Sequence, residues 1–261
     1  MRLGATPDSP PAVVINADEL GRSSDVNRAI LYCFDQGLIS SASIMANMPA
    51  FEEACSLVRA GGFEDRIGVH LNLTQGRALS EPIRLCPRFC TSDGVLGAMP
   101  RPVWRLSADE SRAIEVELSA QIEALLALGI EPSHLDSHHH SHTQWPVCTI
   151  VMQLARHYGV PTIRLSRNCG ANPSFAKRAY KAMFNARLAH AGLSRTRYFG
   201  SSRDAATIAR LDGPIEIMVH PELDPAGRVI DVSPGAESLE SVAAKWIGSG
   251  RLKSFRELLS S

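Results

Sequence analysis

The strongest constraint on the fold of this chain is a regular alternation of short apolar runs with amphipathic helical patterns. The first run, residues 12–19, is mostly apolar until it ends in Asp18 and Glu19, which is typical of a buried parallel strand. Because alternating strands and helices imply a parallel sheet, we expect an α/β protein, either a (β/α) barrel or an open doubly wound sheet. Residues 18–22 lack the G-x-G-x-x-G of a dinucleotide-binding turn.

The pattern predicts six or seven strands with helices between them. The expected strands cover residues 12–19, 39–46, 67–74, 130–136, 160–165 and 215–220. The expected helices cover residues 24–35, 50–60, 107–128, 146–158, 175–191 and 238–247, with a short one near 252–259. Ser107 and Glu110 form a capping box at the start of one of them. No linker or repeat divides the chain, so we expect a single domain over residues 1–261, with residues 1–11 as a disordered lead-in.

The composition argues against several classes of protein. The 27 basic and 27 acidic residues give a formal net charge of zero, whereas nucleic-acid binding rests on a basic surface. No apolar run approaches the roughly 18 residues of a transmembrane segment, and the N-terminal residues lack the apolar core of a secretory signal. The six cysteines are therefore expected to be reduced thiols in a cytoplasmic protein.

Residues 134–142 are the first candidate for a functional site, because they hold five of the nine histidines. Histidine is the commonest protein metal ligand and titrates near neutral pH. The alternative is a His-rich solvated loop without a function. A strand predicted directly before the cluster, together with carboxylates and histidines at the ends of other strands, favours the functional interpretation.

Polar side chains follow the predicted strands at their C-terminal ends. They are Asp18, Glu19, His70, His138, Arg164 and His220. Asn72 and Thr74 share one face of the third strand with His70, so this face is either solvated or part of a site. In a closed parallel barrel the C-terminal strand ends converge on one face, where the active sites of such barrels lie.

These side chains suit a divalent metal ion. One or two carboxylates with two histidines make a set of three ligands that leaves positions open for water, as catalytic sites require. Carboxylates favour hard ions such as Mg²⁺ or Mn²⁺ and imidazoles favour Zn²⁺, so the choice of ion stays open. Of two adjacent carboxylates, one can bind the metal while the other takes a proton from metal-activated water. A histidine across the site can protonate the leaving group.

Four motifs in this chain resemble, in the same order, those of the YdjC/ChbG carbohydrate deacetylase family, which includes the hopanoid-associated HpnK members. Residues 16–21, NADELG, look like the family's N-A-D-D-F-G, and residues 68–74, GVHLNLT, look like its G-x-H-x-x-L-T. Residues 134–142, HLDSHHHSH, look like its H-x-D-S-H-H-x-x-H, and residues 218–221, MVHP, look like its M-x-H-P. The match spreads over most of the chain, which makes it specific.

The resemblance implies a barrel-like fold related to the TIM barrel, distorted or incomplete, with parallel strands and outer helices. It also implies a divalent metal ion, Mg²⁺ or Zn²⁺, and hydrolysis of the N-acetyl group of an amino sugar in a glycan or glycolipid precursor. By this resemblance, Glu19, His70 and His138 would bind the metal. Asp18 would be the general base and His220 the general acid.

Four further residues, Arg164, His142, Asn72 and Asp136, are expected to contact the substrate or to support the residues that do. The expected partner is a small-molecule or oligosaccharide substrate, with no nucleic acid and no transmembrane segment, and a homodimer is mildly preferred. The proline-rich residues 75–106 and the basic helix at residues 175–191 are expected to shape the choice of sugar.

Glu19 departs from the family pattern, which has Asp at this position. Glutamate is one methylene longer, so either the metal or the backbone must shift to allow ligation. Two alternatives therefore stay open. The chain could be another metal-dependent amide, ester or phosphate hydrolase on the same scaffold, or a non-catalytic sugar-binding homologue whose site Glu19 has disabled.

Overall fold

A sheet of six parallel strands forms the centre of the computed structural model, which describes residues 11–97, 102–170, 174–208, 211–247 and 249–259. The strands are β1 (Val13–Leu20), β2 (Ser41–Ile44), β3 (Ile67–Leu71), β4 (Leu135–Ser137), β5 (Tyr198–Ser201) and β6 (Ile215–Val219). Their spatial order is β4-β3-β2-β1-β6-β5. β1 is buried along its whole length and pairs with β2 on one side and β6 on the other.

Helices surround the sheet and complete the core. They are α1 (Ser24–Asp35), α2 (Phe51–Gly61), α3 (Glu81–Arg84), α4 (Ala108–Ala127), α5 (Trp145–His157), α6 (Phe175–His190), α7 (Ala205–Ile208) and α8 (Leu239–Ala244). An antiparallel hairpin of β7 (Pro221–Leu223) and β8 (Val229–Asp231) follows β6 directly. Short 3₁₀ segments include His138–Thr143, which holds most of the His cluster.

Local sequence signals fix where the longest helix begins and ends. The Ser107 side chain accepts a hydrogen bond from the Glu110 backbone, and the Glu110 side chain accepts one from the Ser107 backbone, so the predicted capping box is confirmed. Gly129 follows the helix with a φ of +74°, a conformation that glycine adopts without strain. The helix buries Ile114, Leu118, Ile122 and Leu125 in the core.

The sheet curls into a half-barrel, which confirms the predicted barrel-like fold of parallel strands with outer helices. The predicted strand at residues 160–165 is reduced to one parallel bridge between Ile163 and Leu135 of β4. Pro161 has no backbone N–H to donate to a ladder, which shortens any strand here. The chain then passes to the other edge of the sheet, where the Asn168 and Cys169 amides donate to Phe199 of β5.

A β-bulge near the end of β1 sets the direction of two side chains. Ala17 pairs with Ala42 and Leu20 pairs with Ile44, so three steps along β1 match two steps along β2. Glu19 lies within this irregularity and has a φ of +72°, which is uncommon for a residue other than glycine. Successive side chains of a regular strand point to opposite faces, whereas the bulge brings Asp18 and Glu19 to the same cavity.

Several expectations differ from the structure in detail. β5 and the β7–β8 hairpin were absent from the predicted strands, and the expected strand at residues 130–136 is confined to β4. The expected disordered lead-in covers residues 1–11, and all of these except residue 11 lie outside the described residues. The six cysteines form no disulfide. Among the described residues, no helix has the length and apolar character needed to cross a membrane.

Candidate active site

A cavity of about 510 Å³ lies at the C-terminal ends of the parallel strands. It is lined by Asp18, Glu19, His70, Thr74, Ser137, His138, His139, His140, Met218 and His220. The structure therefore brings together all five residues for which catalytic or metal-binding roles were predicted. A volume of this size is typical of a small-molecule site.

Asp18 is held rigidly at the base of this cavity. Arg164 donates to both of its carboxylate oxygens, at 2.6 and 2.7 Å, and the Asn16 amide donates to Oδ1 at 2.9 Å. Burial alone would favour the neutral acid, but the Arg164 charge outweighs it and holds the pKa of Asp18 below its usual value. Asp18 is therefore an oriented and ionised carboxylate.

Glu19 reaches the cavity beside His138. Its Oε1 lies 3.1 Å from His138 Nδ1, and its Oε2 accepts a hydrogen bond from the Arg22 guanidinium at 2.7 Å. Burial opposes ionisation, yet the contact with His138 and the nearby His70 hold the pKa of Glu19 far below its usual value. Glu19 is thus a carboxylate with one oxygen turned toward a histidine.

The two predicted histidine ligands are each held through one ring nitrogen. His70 Nδ1 lies 2.8 Å from Asp136 Oδ1 and 3.1 Å from Ser43 Oγ. His138 is held at the other nitrogen, since its Nε2 lies 2.9 Å from Gln75 Oε1. A hydrogen bond at one imidazole nitrogen fixes the ring and directs the other nitrogen toward a ligand, which is the usual arrangement around metal-binding histidines.

Asp136 determines the charge state of the buried imidazole of His70. Burial lowers the pKa of His70, but the Asp136 carboxylate more than offsets this and raises it. The Arg164 and His70 charges in turn hold the pKa of Asp136 far below its usual value, against the effect of burial. Asp136 therefore supports the histidine, one of the two roles predicted for it.

Arg164 is the centre of a buried charge network. Its side chain is fully buried and contacts the carboxylates of Asp18, Asp136 and Glu216 at 2.6–2.7 Å. The three carboxylates raise the pKa of Arg164 well above its usual value despite burial. The guanidinium also lies over the Phe199 ring, at 4.9 Å from its centroid.

Glu216 is the member of this network that resists ionisation. Burial raises the pKa of Glu216 to about 7, and the neighbouring Asp136 and Asp18 charges add to the rise, although Arg164 opposes it. Its Oε1 accepts from Arg164 Nε at 2.6 Å, whereas its buried Oε2 has no hydrogen-bond partner among the described residues.

The His cluster divides between the cavity and the scaffold, which excludes a uniformly solvated loop. His139 and His140 line the cavity with φ values of +51° and +53°, a left-handed pair that turns the chain sharply after His138. His142 is buried and lies between the Ser137 hydroxyl and the Arg164 carbonyl. Burial lowers the pKa of His142 to about 4, so it supports Arg164 as a neutral ring. His134 is buried against Phe255.

His220 lines the cavity beside Asp18. Its Nε2 lies 3.9 Å from Asp18 Oδ2, and its Nδ1 lies 2.8 Å from the Ser233 hydroxyl. The Asp231 carboxylate accepts a hydrogen bond from the His220 backbone amide at 3.1 Å. The β7–β8 hairpin and the residues after it thus orient the imidazole toward Asp18.

Asn72 belongs to the scaffold of the loop after β3. Its side chain is fully buried, donates to Asn47 and to the Gln75 carbonyl, and accepts from the Thr74 amide. This arrangement places Thr74 on the cavity wall and Gln75 against His138. Asn72 therefore supports the residues around the cavity and does not form its surface.

Residues 12–259 match the sequence model of YdjC-like proteins. A carbohydrate deacetylase of Halalkalibacterium halodurans is 31% identical over 213 residues, which cover 80% of this chain and 84% of the relative. This chain belongs to the YdjC-like family. Another relative, a carbohydrate deacetylase of Geobacillus stearothermophilus, is 39% identical over 152 residues, and the match spans 58% of this chain and 59% of that relative's length.

A solved structure has the same fold as this YdjC-like protein. It is that of an Enterococcus faecalis V583 protein described as a cellobiose-phosphate cleavage protein. The TM-score is 0.72 with 20% sequence identity, and the alignment covers 96% of this chain and 99% of the other. At this level of identity the likeness establishes the fold alone.

Among the described residues of this YdjC-like protein, one group of side chains has the spacing to hold a metal ion. One atom from each of Asp18, His70 and Asp136 lies within 4.8 Å of the others. Arg164 contacts both of these carboxylates, however, so a cation placed between them would meet the guanidinium charge. The three ligands expected from the sequence, Glu19, His70 and His138, all lie on the cavity wall.

Sequence reasoning missed four residues that hold the site together: Ser43, Gln75, Glu216 and Ser233. Glu216 gave a signal, because it is a charged residue within an otherwise apolar strand. Ser43 lies on a short strand with two serines, and nothing in the sequence distinguishes it from Ser41. Gln75 and Ser233 lie outside helices and strands, so no periodicity indicates which way their side chains point.

Proposed function

We propose that this YdjC-like protein is a metal-dependent hydrolase that removes the N-acetyl group from an amino sugar, in a glycan or glycolipid precursor. The observation that carries the proposal is the contact between Glu19 and His138 on the wall of a cavity that also contains His70, Asp18 and His220. Membership of a family whose named relatives are carbohydrate deacetylases supports a sugar substrate.

The residues present fit a divalent metal ion. Glu19, His70 and His138 would hold it, because Asp136 occupies Nδ1 of His70 and leaves Nε2 for a ligand, while Gln75 occupies Nε2 of His138 and its Nδ1 faces Glu19. The mixed nitrogen and oxygen donors suit Zn²⁺ or Mg²⁺. When bound, such an ion polarises the acetyl carbonyl and acidifies a water molecule.

Asp18 is the proposed general base. The paired hydrogen bonds from Arg164 fix its carboxylate on the cavity wall, so that it meets a water molecule in one orientation. Since the pKa of Asp18 is held below its usual value, it is a weak base and would need the more acidic water that a bound ion would supply.

His220 is the proposed general acid. Ser233 holds Nδ1, which leaves Nε2, the nitrogen nearer Asp18, to donate a proton to the leaving amine nitrogen of the sugar. His220 and His138 line the same cavity, so the proposed acid and the proposed metal ligands would reach one substrate there.

The test is acetate release from a panel of N-acetylated mono- and oligosaccharides, with ester and phosphate substrates beside them. Metal-stripped protein is assayed with each divalent ion added back. We expect metal-dependent release of acetate and a loss of more than about 100-fold in kcat/KM for His138→Ala. The matched control is His190→Ala, which removes an exposed histidine of α6 and leaves the rate unchanged.

Two results would contradict the proposal. Hydrolysis of an ester or phosphate without acetate release from any sugar would favour another metal-dependent hydrolase on this scaffold. Sugar binding without turnover, with activity appearing in Glu19→Asp, would favour a non-catalytic homologue. The cytoplasmic location and the homodimer expected from the sequence stay predictions beside this one.

A further inference from the structure

The side chain of Glu19 is longer and more flexible than the aspartate expected at the proposed metal site. A glutamate has one more rotatable bond than the aspartate of the family pattern, and ordering this bond costs conformational entropy. The positive φ of Glu19 and the bulge in β1 bring its side chain to the cavity, but they do not fix the carboxylate.

The carboxylate of Glu19 is held from two sides. Oε1 lies against His138 Nδ1 at 3.1 Å, and Oε2 accepts from an Arg22 guanidinium nitrogen at 2.7 Å. With Oε2 engaged by Arg22, Oε1 is the oxygen turned toward His138 and the cavity. The extra methylene is thus accommodated by a clamp on the far oxygen.

Arg22 is itself fixed in place. The same guanidinium nitrogen that holds Glu19 also donates to Glu222 at 3.1 Å, and Glu222 belongs to β7, directly after His220 and Pro221. The Arg22 backbone amide donates to the Glu19 carbonyl at 3.1 Å, which closes the turn that joins the two residues. One nitrogen therefore connects the end of β1 to the hairpin.

We propose that Arg22 is a positioning residue for metal binding, which holds Glu19 Oε2 and thereby lets a glutamate serve where the family pattern has aspartate. This inference rests on the proposed metal site and goes beyond it, because Arg22 lies outside the ligands and the predicted acid–base pair. It also explains how the departure at Glu19 is compatible with an intact site.

Two effects of Arg22 on metal affinity have opposite signs, which makes the proposal testable. A cationic side chain repels a metal ion, so charge alone predicts tighter binding when Arg22 is removed, whatever acid occupies position 19. Positioning predicts weaker binding, and only with glutamate. An aspartate carboxylate ends about 1.5 Å short of the glutamate carboxylate and is out of reach of Arg22.

The experiment is a double-mutant cycle read out by metal affinity. Zn²⁺ and Mg²⁺ are titrated calorimetrically into metal-stripped wild type, Arg22→Leu, Glu19→Asp and the double variant. We expect Arg22→Leu to weaken the Kd about tenfold in the wild-type background and by less than about twofold in the Glu19→Asp background. The same change in both backgrounds, or tighter binding in the wild-type background, would overturn the proposal.

Arg28→Leu is the matched control. Arg28 also pairs with an acidic residue three positions before it, Asp25, but this pair is exposed on α1. We expect its metal affinity to equal that of wild type. The Arg22 side chain is itself 38% exposed, so its removal leaves the protein folded, which circular dichroism verifies.

Arg22→Lys is the rescue variant. Because one nitrogen of Arg22 makes both contacts, a lysine ammonium can replace it, and we expect a Kd within about threefold of wild type. A loss of metal affinity as large as that of Arg22→Leu would show that the contacts of this nitrogen with Glu19 and Glu222 are not the cause. If the wild type itself binds no divalent ion, the proposed function fails. This result differs from one in which the wild type binds the ion but the Arg22 and Glu19 substitutions act independently, which contradicts only the role of Arg22.

Discussion

Asp18 and His220 are neighbours on the cavity wall, 3.9 Å apart at their nearest ionisable atoms, yet the molecule holds them very differently. Asp18 is 2% exposed and is bound by a fully buried arginine that contacts two further carboxylates. The His220 side chain is 24% exposed and is held by the hydroxyl of Ser233. Asp18 is fixed by charge in the interior, and His220 by a hydrogen bond to a hydroxyl near the surface.

This difference indicates where the site tolerates change. A buried ion pair is costly to break, because the remaining partner is left as an uncompensated charge. A neutral hydrogen bond at a part-exposed position contributes only about 1 kcal/mol. We therefore expect substitutions around Asp18 to affect folding and activity together, and substitutions around His220 to affect activity alone.

The largest effect is expected for Arg164→Met, which leaves the buried carboxylates of Asp18 and Asp136 without their cation. We expect the free energy of unfolding to fall by about 3–5 kcal/mol, measured by urea denaturation at neutral pH. Activity should fall with it, because Asp18 loses its orientation. Arg195→Met, at an exposed position, is the control and should change neither quantity. An Arg164→Met protein as stable as wild type would show that the buried ion pairs do not hold Asp18 more firmly than Ser233 holds His220.

An intermediate effect is expected for His220→Gln. If this histidine acts as the general acid and contributes little to stability, kcat should fall about 100-fold, while KM and the free energy of unfolding stay close to those of wild type. Steady-state acetate release and urea denaturation together test this. A loss of stability as large as that of Arg164→Met would show that both sides of the cavity are structural.

The smallest effect is expected for Glu216→Gln, and it depends on pH. The pKa of Glu216 is raised from about 4.5 to about 7 in the folded protein, so the folded state keeps a proton that the unfolded chain releases between these values. This residue therefore destabilises the fold as the pH rises through that range. Relative to wild type, the variant should gain about 2 kcal/mol from pH ~5 to pH ~8.

Urea denaturation of both proteins across this range measures the difference directly. Other groups, including His142 with its pKa lowered to about 4, titrate in both proteins and cancel in the comparison. A constant difference between the two proteins would mean that Glu216 is ionised throughout, and that the network carries three negative charges around Arg164.

Most of the fold follows from the sequence because it rests on local periodicity. The strands at the middle of the sheet and the long helices have apolar patterns and caps that each indicate one structure, as Ser107 and Glu110 do for α4. β5 is missing from the predicted strands because its sequence, YFGS, is short and ends in small residues. The strand predicted around Ile163 is reduced to one bridge, since Pro161 within the predicted run cannot donate to a ladder.

The residues of the site were predictable where a side chain follows a strand, and unpredictable where it comes from a loop. Asp18, His70 and His220 stand at strand ends, so the parallel topology alone brings them together. Gln75 and Ser233 reach the same site through irregular backbone. The clamp of Arg22 on Glu19 depends on a bulge and a positive φ, which no periodic pattern indicates.

Closed barrels are sealed by backbone hydrogen bonds between every pair of neighbouring strands. Here the gap between β4 and β5 is crossed by the chain that carries Arg164, with one backbone bridge at Ile163. From this gap the guanidinium reaches Asp18 on β1 and Glu216 on β6. The ion pairs of Arg164 therefore join strands of the half-barrel where ladder hydrogen bonds are few, and Asp18, the carboxylate proposed for catalysis, is one of the residues that hold the wall together.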